Sequence, residues 1–216
     1  MAGFFISFEG IEGSGKSTQA ALLAQALRSH GYEIVLTREP GGTQTGQVLR
    51  RLVLESSSAP LAPEAELFLL LADRAQHVRE VIAPGLQTDN IVLSDRFSDS
   101  TTAYQGYGRG ADLTFLTQLN IFACGGYVPD VTFVLDLPAI EGLQRARQRQ
   151  SGAEAVDRFE AESVAFHERV QTGFLEIARA EPQRVHVLDA TRSVEVIHQE
   201  IWAIVQGQLA GKALNV

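Results

Sequence analysis

Residues 10–17 read GIEGSGKS, which satisfies GxxxxGK[ST] at every fixed position. Glycines at this spacing let successive backbone N–H groups, those of Gly10, Ile11, Glu12, Gly13, Ser14 and Gly15, converge on phosphate oxygens. A following helix would add roughly half a positive charge at its N-terminus. Lys16 would then lie between the β and γ phosphates of a nucleoside triphosphate. Ser17 would offer its hydroxyl to Mg²⁺, with Thr18 beside it in the first helical turn. Lys16 is conspicuous for another reason: apart from Lys212, every basic residue in the chain is arginine. The plain alternative is a glycine turn that only caps a helix. The agreement of all fixed positions with the flanking periodicities favours the phosphate cradle.

Several arginines stand where a second anion could bind. Arg38 falls in the loop after the second expected strand, Arg96 just past the third, and Arg74 on a helix between them. Ligands of parallel sheets gather at the strand ends on the phosphate-loop side. Asp95 precedes Arg96 in NIVLSDR, and a carboxylate ending a strand there suits Mg²⁺ or its water shell, or else an ordinary surface pair. Arg74 falls inside an apolar stripe of Leu67, Leu70, Leu71, Val78, Val81 and Ile82. A charge there needs either an internal carboxylate or a polar ligand met from the helix face, and the residues leave both open. Arg145 and Arg149 share a helix face while Arg147 points away. The trio runs into RQSGAEAVDR, residues 149–158, whose composition suits a mobile loop and whose arginines suit contact with transferring phosphates.

Positioning these residues requires strands alternating with helices. Short apolar runs predict strands at 4–8, 33–37, 91–94, 131–135 and 184–188. Helical spacing predicts helices over 17–27, around 48–54, from 67 to a stop at Pro84 and Gly85, over 113–124, and over 194–208, with two more between the last two strands. The segment REPGGTQTG, 38–46, reads as a loop because Pro and paired Gly break both periodicities, and 95–110 reads as a polar, glycine-rich stretch. Such alternation implies an α/β fold with parallel strands joined by right-handed crossovers and helices on both faces.

The chain has 216 residues, room for one such domain, and its 45% hydrophobic content is that of a globular protein. Lys plus Arg number 18 against 26 Asp plus Glu, a net charge of −8, which disfavours nucleic acid while leaving room for a local anion pocket. One cysteine, Cys124, can form neither an internal disulfide nor a Cys-based zinc site. MAGFFISFEG has no basic leader, and no apolar run approaches membrane-spanning length, so a soluble, cytoplasmic protein is expected. A GTPase-type switch would need NKxD and DxxG. Neither lysine follows an Asn, and no Asp has Gly three residues on.

FEGIEGSGKST, TREPGGT, LADRAQHV, SDRFSDSTTAYQGYGRG and DATRS, in this order and spacing, resemble bacterial thymidylate kinase over nearly the whole chain. The resemblance implies a P-loop, nucleoside-monophosphate-kinase-like three-layer α/β/α fold with a mostly or wholly parallel five-stranded sheet. It implies one kinase domain over 1–216 and a mobile lid at about 149–158. In that family a homodimer moves the γ-phosphoryl of Mg·ATP onto dTMP, giving dTDP for dTTP synthesis. Arg38 and Arg96 would hold the acceptor phosphate, Asp95 would assist the metal, and Glu12 would approach the acceptor sugar and phosphate. Arg74 would bond thymine O4, and Thr101 and Gln105 would line the base pocket. Tyr104 would crowd the 2′ position, unless it is simply a core tyrosine. Arg149 matches the lid arginine of the subgroup whose phosphate loop has none, and Arg145 and Ala190 fall on the ATP side. DAT, 189–191, matches an adenine contact but reads equally as a helix-capping turn.

One departure concerns the base. The family usually stacks a Phe on thymine four residues before the Arg74 position, which is Leu70 here. Phe68 cannot substitute, being about 200° around a helix from Leu70. Losing an aromatic stack weakens binding by roughly 0.5–1.5 kcal/mol. The rival readings are a P-loop kinase for another monophosphate or a nucleoside, and a non-catalytic nucleotide-binding regulator.

Overall fold

The computed structural model describes residues 3–55, 61–149 and 158–213. Five strands, β1 (Phe4–Glu9), β2 (Ile34–Arg38), β3 (Ile91–Asp95), β4 (Val131–Asp136) and β5 (Val185–Asp189), form one sheet in the order β2-β3-β1-β4-β5. Every pairing is parallel, with Ile6 opposite Leu93 on one side and Val131 on the other. All five strands reach one residue past their expected ends, to Glu9, Arg38, Asp95, Asp136 and Asp189. The register brings Arg38 opposite Asp95, and Asp136 opposite Asp189, at the carboxyl edge.

β1 is buried along its whole length, as a strand covered on both faces must be. Phe4, Ile6 and Phe8 join Leu23 and Leu27 of α1 (Lys16–Ser29). Phe5, pointing the other way, joins Val92, Ile82 and Phe97, with its ring edge-on to Phe97 at 4.9 Å. β1 also marks the point where strand order reverses, so the crevice at its carboxyl end is where this architecture places a ligand. Residues 10–17 turn there.

Three expected boundaries are corrected. Helix α2 (Gln44–Leu54) begins inside the segment read as loop, because the Thr43 hydroxyl accepts from Gly46 N at 2.9 Å and caps it. Pro84 and Gly85 do not end the next helix. α3 (Pro63–His77) widens into a π-helical turn over Val78–Ile82 and continues as α4 (Ala83–Gln87). Pro84 sits in the first turn of α4, where its missing N–H leaves no gap. The polar stretch after β3 is also helical, as α5 (Ser98–Thr101) and a π segment, Thr102–Gly108. Its glycines carry poor helix propensity but permit close packing. A Cβ on Gly108 would lie 2.7 Å from the Phe166 ring, and one on Gly106 would lie 2.5 Å from Leu113.

α6 (Leu113–Cys124) matches the expected span, with Asp112 accepting from Phe115 N at 2.7 Å and left-handed Gly125 at its end. α7 (Ala139–Arg149), α8 (Val164–Ala180) and α9 (Val194–Ala213) complete the fold. Residues 150–157 of the expected lid lie outside the described residues.

Candidate active site

The cradle has the backbone that its glycines permit: φ is 134° at Gly10, 74° at Gly13 and 96° at Gly15. At Gly13 there is also no room for a side chain, since a Cβ would stand 2.1 Å from the Gly142 carbonyl oxygen. α1 starts at Lys16 with no side chain capping its first N–H groups, which leaves them to a ligand. The buried Lys16 Nζ donates to Ile11 O at 2.7 Å and Ser14 Oγ at 3.3 Å. Burial, and then the nearby Arg96 charge, bring Lys16 down from 10.5 to about 8. Ser17 Oγ donates to the Asp95 carboxylate, uniting an α1 hydroxyl with the last residue of β3. Thr18 is exposed one residue on.

Arg96 takes φ 75°, a left-handed value uncommon for a residue with a side chain. Neighbours hold it there. Its N–H donates to Phe8 O at 2.9 Å, its carbonyl accepts from Ser94 Oγ at 2.7 Å, and Phe97 N donates to Glu9 Oε1 at 2.7 Å. Ser100 Oγ donates to Glu9 Oε2 at 2.6 Å. Glu9 is fully buried, and burial, with Asp99 adding to it, pushes the carboxyl up from 4.5 to about 8. The Arg96 guanidinium donates to Glu12 Oε1 at 2.9 Å, Gly10 O at 3.0 Å, the Tyr104 hydroxyl at 3.1 Å and Ser100 Oγ at 3.2 Å. Tyr104 donates to Glu12 Oε1 at 2.6 Å. Burial alone would raise the Glu12 carboxyl, but His167, Arg96 and Lys16 outweigh it and hold the group well below the usual carboxylate range.

Arg74 resolves one open question. It has the internal carboxylate: Nε donates to Glu39 Oε2 at 2.9 Å. Nη1 donates to Thr101 Oγ1 at 2.7 Å and Asn120 Oδ1 at 2.9 Å, and Nη2 to Phe97 O at 2.9 Å. Arg74 nevertheless lines the cleft, with one Nη2 N–H beyond these bonds. Gln105 Nε2 donates to the buried Glu66 at 2.8 Å, which turns the amide oxygen away, buried and without a hydrogen-bond partner among the described residues.

Glu12, Gly13, Gly15, Lys16, Ser17, Arg38, Leu70, Arg74, Asp95, Arg96, Thr101, Tyr104 and Gln105 line a single cleft that opens beside the cradle. Leu70 faces it while Phe68 is 57% exposed, so the helix keeps the register that puts leucine in the usual aromatic position. Tyr104 is both core and cleft, with Phe159 edge-on at 5.5 Å and Arg96 over its ring at 5.0 Å. Gly10, Ile11 and Ser14 form the buried base of the loop.

Arg145 does not reach the cleft lining. It donates to Ala190 O at 3.0 Å and Glu141 at 2.6 Å, so these two residues expected on the ATP side do meet each other. The Asp189 carboxylate accepts from Thr191 N at 2.9 Å and Thr191 Oγ1 at 2.6 Å, which is a local turn. The Arg149 side chain lies outside what is described. Sequence reading missed Glu39, Arg50, Asp73 and Phe159 in the lining, and Glu9, Glu66 and His167 behind it. The TREPGGT and LADRAQHV runs contain Glu39 and Asp73, but nothing in the spacing shows that they face the same space.

A parallel sheet reversing at β1, a glycine cradle with its lysine, and an arginine-lined acceptor space in one cleft define a P-loop kinase of the nucleoside-monophosphate class. The thymidylate kinase family model matches residues 8–201. A thymidylate kinase of Solidesulfovibrio magneticus is 50% identical over 204 residues, 93% of this chain and 98% of that protein. One from Nitratidesulfovibrio vulgaris is 49% identical over 97% of this chain and 99% of its own length. The crystal structure of thymidylate kinase from Ehrlichia chaffeensis superposes with a TM-score of 0.76 at 35% identity, covering 95% of this chain and 99% of that one. The chain belongs to the thymidylate kinase family.

Proposed function

We propose that the cleft transfers the γ-phosphoryl group of Mg·ATP to dTMP, giving dTDP and ADP. The carrying observation is that the cradle lysine, Lys16, and two arginines from other strand ends, Arg38 and Arg96, line one cleft whose far end carries Leu70, Arg74, Thr101 and Gln105. Two polyanions placed end to end need this positive charge between them. The attacking phosphate oxygen is already anionic near neutral pH, so positioning and neutralisation suffice without a general base. Glu12, ionised and bonded to Arg96 and Tyr104, is an organiser. The spare N–H of Arg74 suits a base carbonyl, and the free Gln105 amide oxygen suits a base N–H.

Ser17 Oγ and the Asp95 carboxylate touch at the cradle mouth, and this pair of hard oxygens fits Mg²⁺. When bound, the ion would neutralise phosphate charge. The parts of Arg149 and the 149–158 lid rest on the family resemblance alone, as do those of Arg145 and Ala190 toward ATP. The whole chain, 1–216, is read as one kinase domain acting in the cytoplasm. No described helix is long and apolar enough to cross a membrane. α6 exposes Phe115, Ile121 and Phe122, the last 87% exposed, and α3 beside it exposes Phe68, an apolar face suited to a second copy in a homodimer.

A coupled ADP-release assay across monophosphates tests this reading. ADP should appear rapidly with dTMP and far more slowly with AMP, GMP or CMP. Equal use of AMP would indicate a different monophosphate kinase, and ADP formed at the same rate without an acceptor would remove the kinase assignment. Arg96→Ala should raise KM for dTMP and lower kcat together, whereas a change confined to ATP affinity would contradict its acceptor role.

A further inference from the structure

His167, on α8, is completely buried, and among the described residues both of its ring nitrogens face acceptors. Nε2 lies 3.0 Å from the Phe159 carbonyl oxygen. A carbonyl only accepts, so Nε2 must carry hydrogen. Nδ1 lies 3.2 Å from Glu12 Oε2, and neither atom has a hydrogen-bond partner among the described residues. A bare Nδ1 would therefore set a lone pair against a carboxylate oxygen in a dry interior, leaving two buried acceptors unsatisfied. One proton placed on this pair would relieve both atoms. Glu12 is a poor place for it, since the other carboxylate oxygen already accepts from Arg96 and Tyr104. The second buried histidine differs. His77 bonds Glu39 through Nδ1 at 2.8 Å, but its Nε2 faces the Thr37 hydroxyl at 2.7 Å, which can donate or accept and so fixes no charge.

We propose that His167 is a positioning residue held as an imidazolium, a second counter-charge to Glu12 that frees Arg96 to engage an incoming phosphate. Without His167, Glu12 would keep the Tyr104 hydroxyl but no ion pair among the described residues whenever the guanidinium turned to the acceptor, a costly arrangement. With His167 charged, Glu12 stays paired throughout. The charged groups gathered on that carboxylate are Arg96 from the end of β3 and Lys16 from the cradle. From the other elements packed on α8, Asp99 of α5 is taken by Arg184 at 2.8 Å and Asp136 of β4 by Gln171 at 2.7 Å. The inference rests on the reading of Arg96 as the acceptor-phosphate arginine, and part of its test does not.

Ring ¹⁵N NMR of the full, nucleotide-free chain tests it first, with the His167 signals assigned by their loss in His167→Gln. At pH 7 both His167 nitrogens should be protonated, and in Glu12→Gln the ring should lose the second proton. A neutral His167 ring at pH 7 in the unmodified chain would overturn the proposal, whatever the enzyme phosphorylates. Kinetics then test the consequence. His167→Gln keeps a donor for Phe159 but no charge. With its unfolding transition retained, KM for dTMP should rise about tenfold while KM for ATP stays within about twofold. An unchanged KM for dTMP, or a rise in KM for ATP alone, would overturn it. If the unmodified chain fails to phosphorylate dTMP while the ring is charged, the acceptor reading falls and the His167–Glu12 pair stands.

Discussion

Lys16 combines a depressed proton affinity with the place where phosphate charge must arrive. Bound polyphosphate favours the ammonium, so binding should draw a proton onto Lys16 and raise it from about 8. ATP affinity should accordingly weaken as pH rises above about 8. Calorimetry near pH 8 in buffers of different ionisation enthalpy should show proton uptake on ATP binding, and buffer-independent heats would contradict it. Lys16→Ala should lose about 10³-fold or more in turnover while remaining folded by circular dichroism.

Glu9 is shifted the other way, upward. Its folded value lies above the unfolded one, so between about 4.5 and 8 the folded chain binds the extra proton. Its contribution to stability therefore falls as pH rises through that window. Glu9→Gln, which imitates the protonated acid, should flatten this decline in urea melts at pH 5 and 8, and parallel slopes for the two proteins would contradict the burial argument. The places of Lys16, Asp95 and Arg96 in the cleft were legible in the chain because each follows from local spacing at a strand end. Glu9, Glu66 and His167 were not, because each acquires its partner only through the fold. Glu9 caps a backbone N–H 88 residues away.

At the scale of elements, the sheet was legible nearly to its ends, since β1, β3 and β4, buried on both faces, must be apolar runs, and the half-exposed edge strands β2 and β5 still carry branched apolar residues. The helix over 98–108 was not, because Gly106 and Gly108 have poor helical propensity. Their value is tertiary, as they bring the π segment, and with it Tyr104 and Gln105, close against α6 and α8. Gly108→Ala should therefore lower stability by about 1–3 kcal/mol through overpacking against Phe166 and Val170. In the same variant Phe166→Ala should recover part of the loss, and additive losses would contradict direct contact. The Pro84 boundary failed for a related reason. A π turn absorbs the missing N–H, and single-residue rules do not anticipate one.

At the scale of the molecule, the net charge of −8 and the arginines of the cleft describe different things. Charge overall argues against a polyanionic partner, while charge locally draws two small anions into one space. The apolar face of α6 and α3 predicts assembly. Phe122→Asp should convert a dimer to a monomer in sedimentation velocity, and an unchanged mass would place the interface elsewhere. What the sequence could not show is how the acceptor arginines are held. Arg74 and Arg96 are bonded to Glu39 and Glu12, so internal carboxylates fix both guanidinium groups at the cleft.

The most direct measurement is a crystal structure of the chain with a thymidine–adenosine pentaphosphate, which joins the two nucleotides through their phosphates. One molecule should span the cleft, with thymine at Leu70, Arg74 and Gln105 and the adenosine phosphates wrapped by residues 10–17 over Lys16. A cleft that stays without ligand at saturating concentration, or thymine seated away from Arg74 and Gln105, would contradict it.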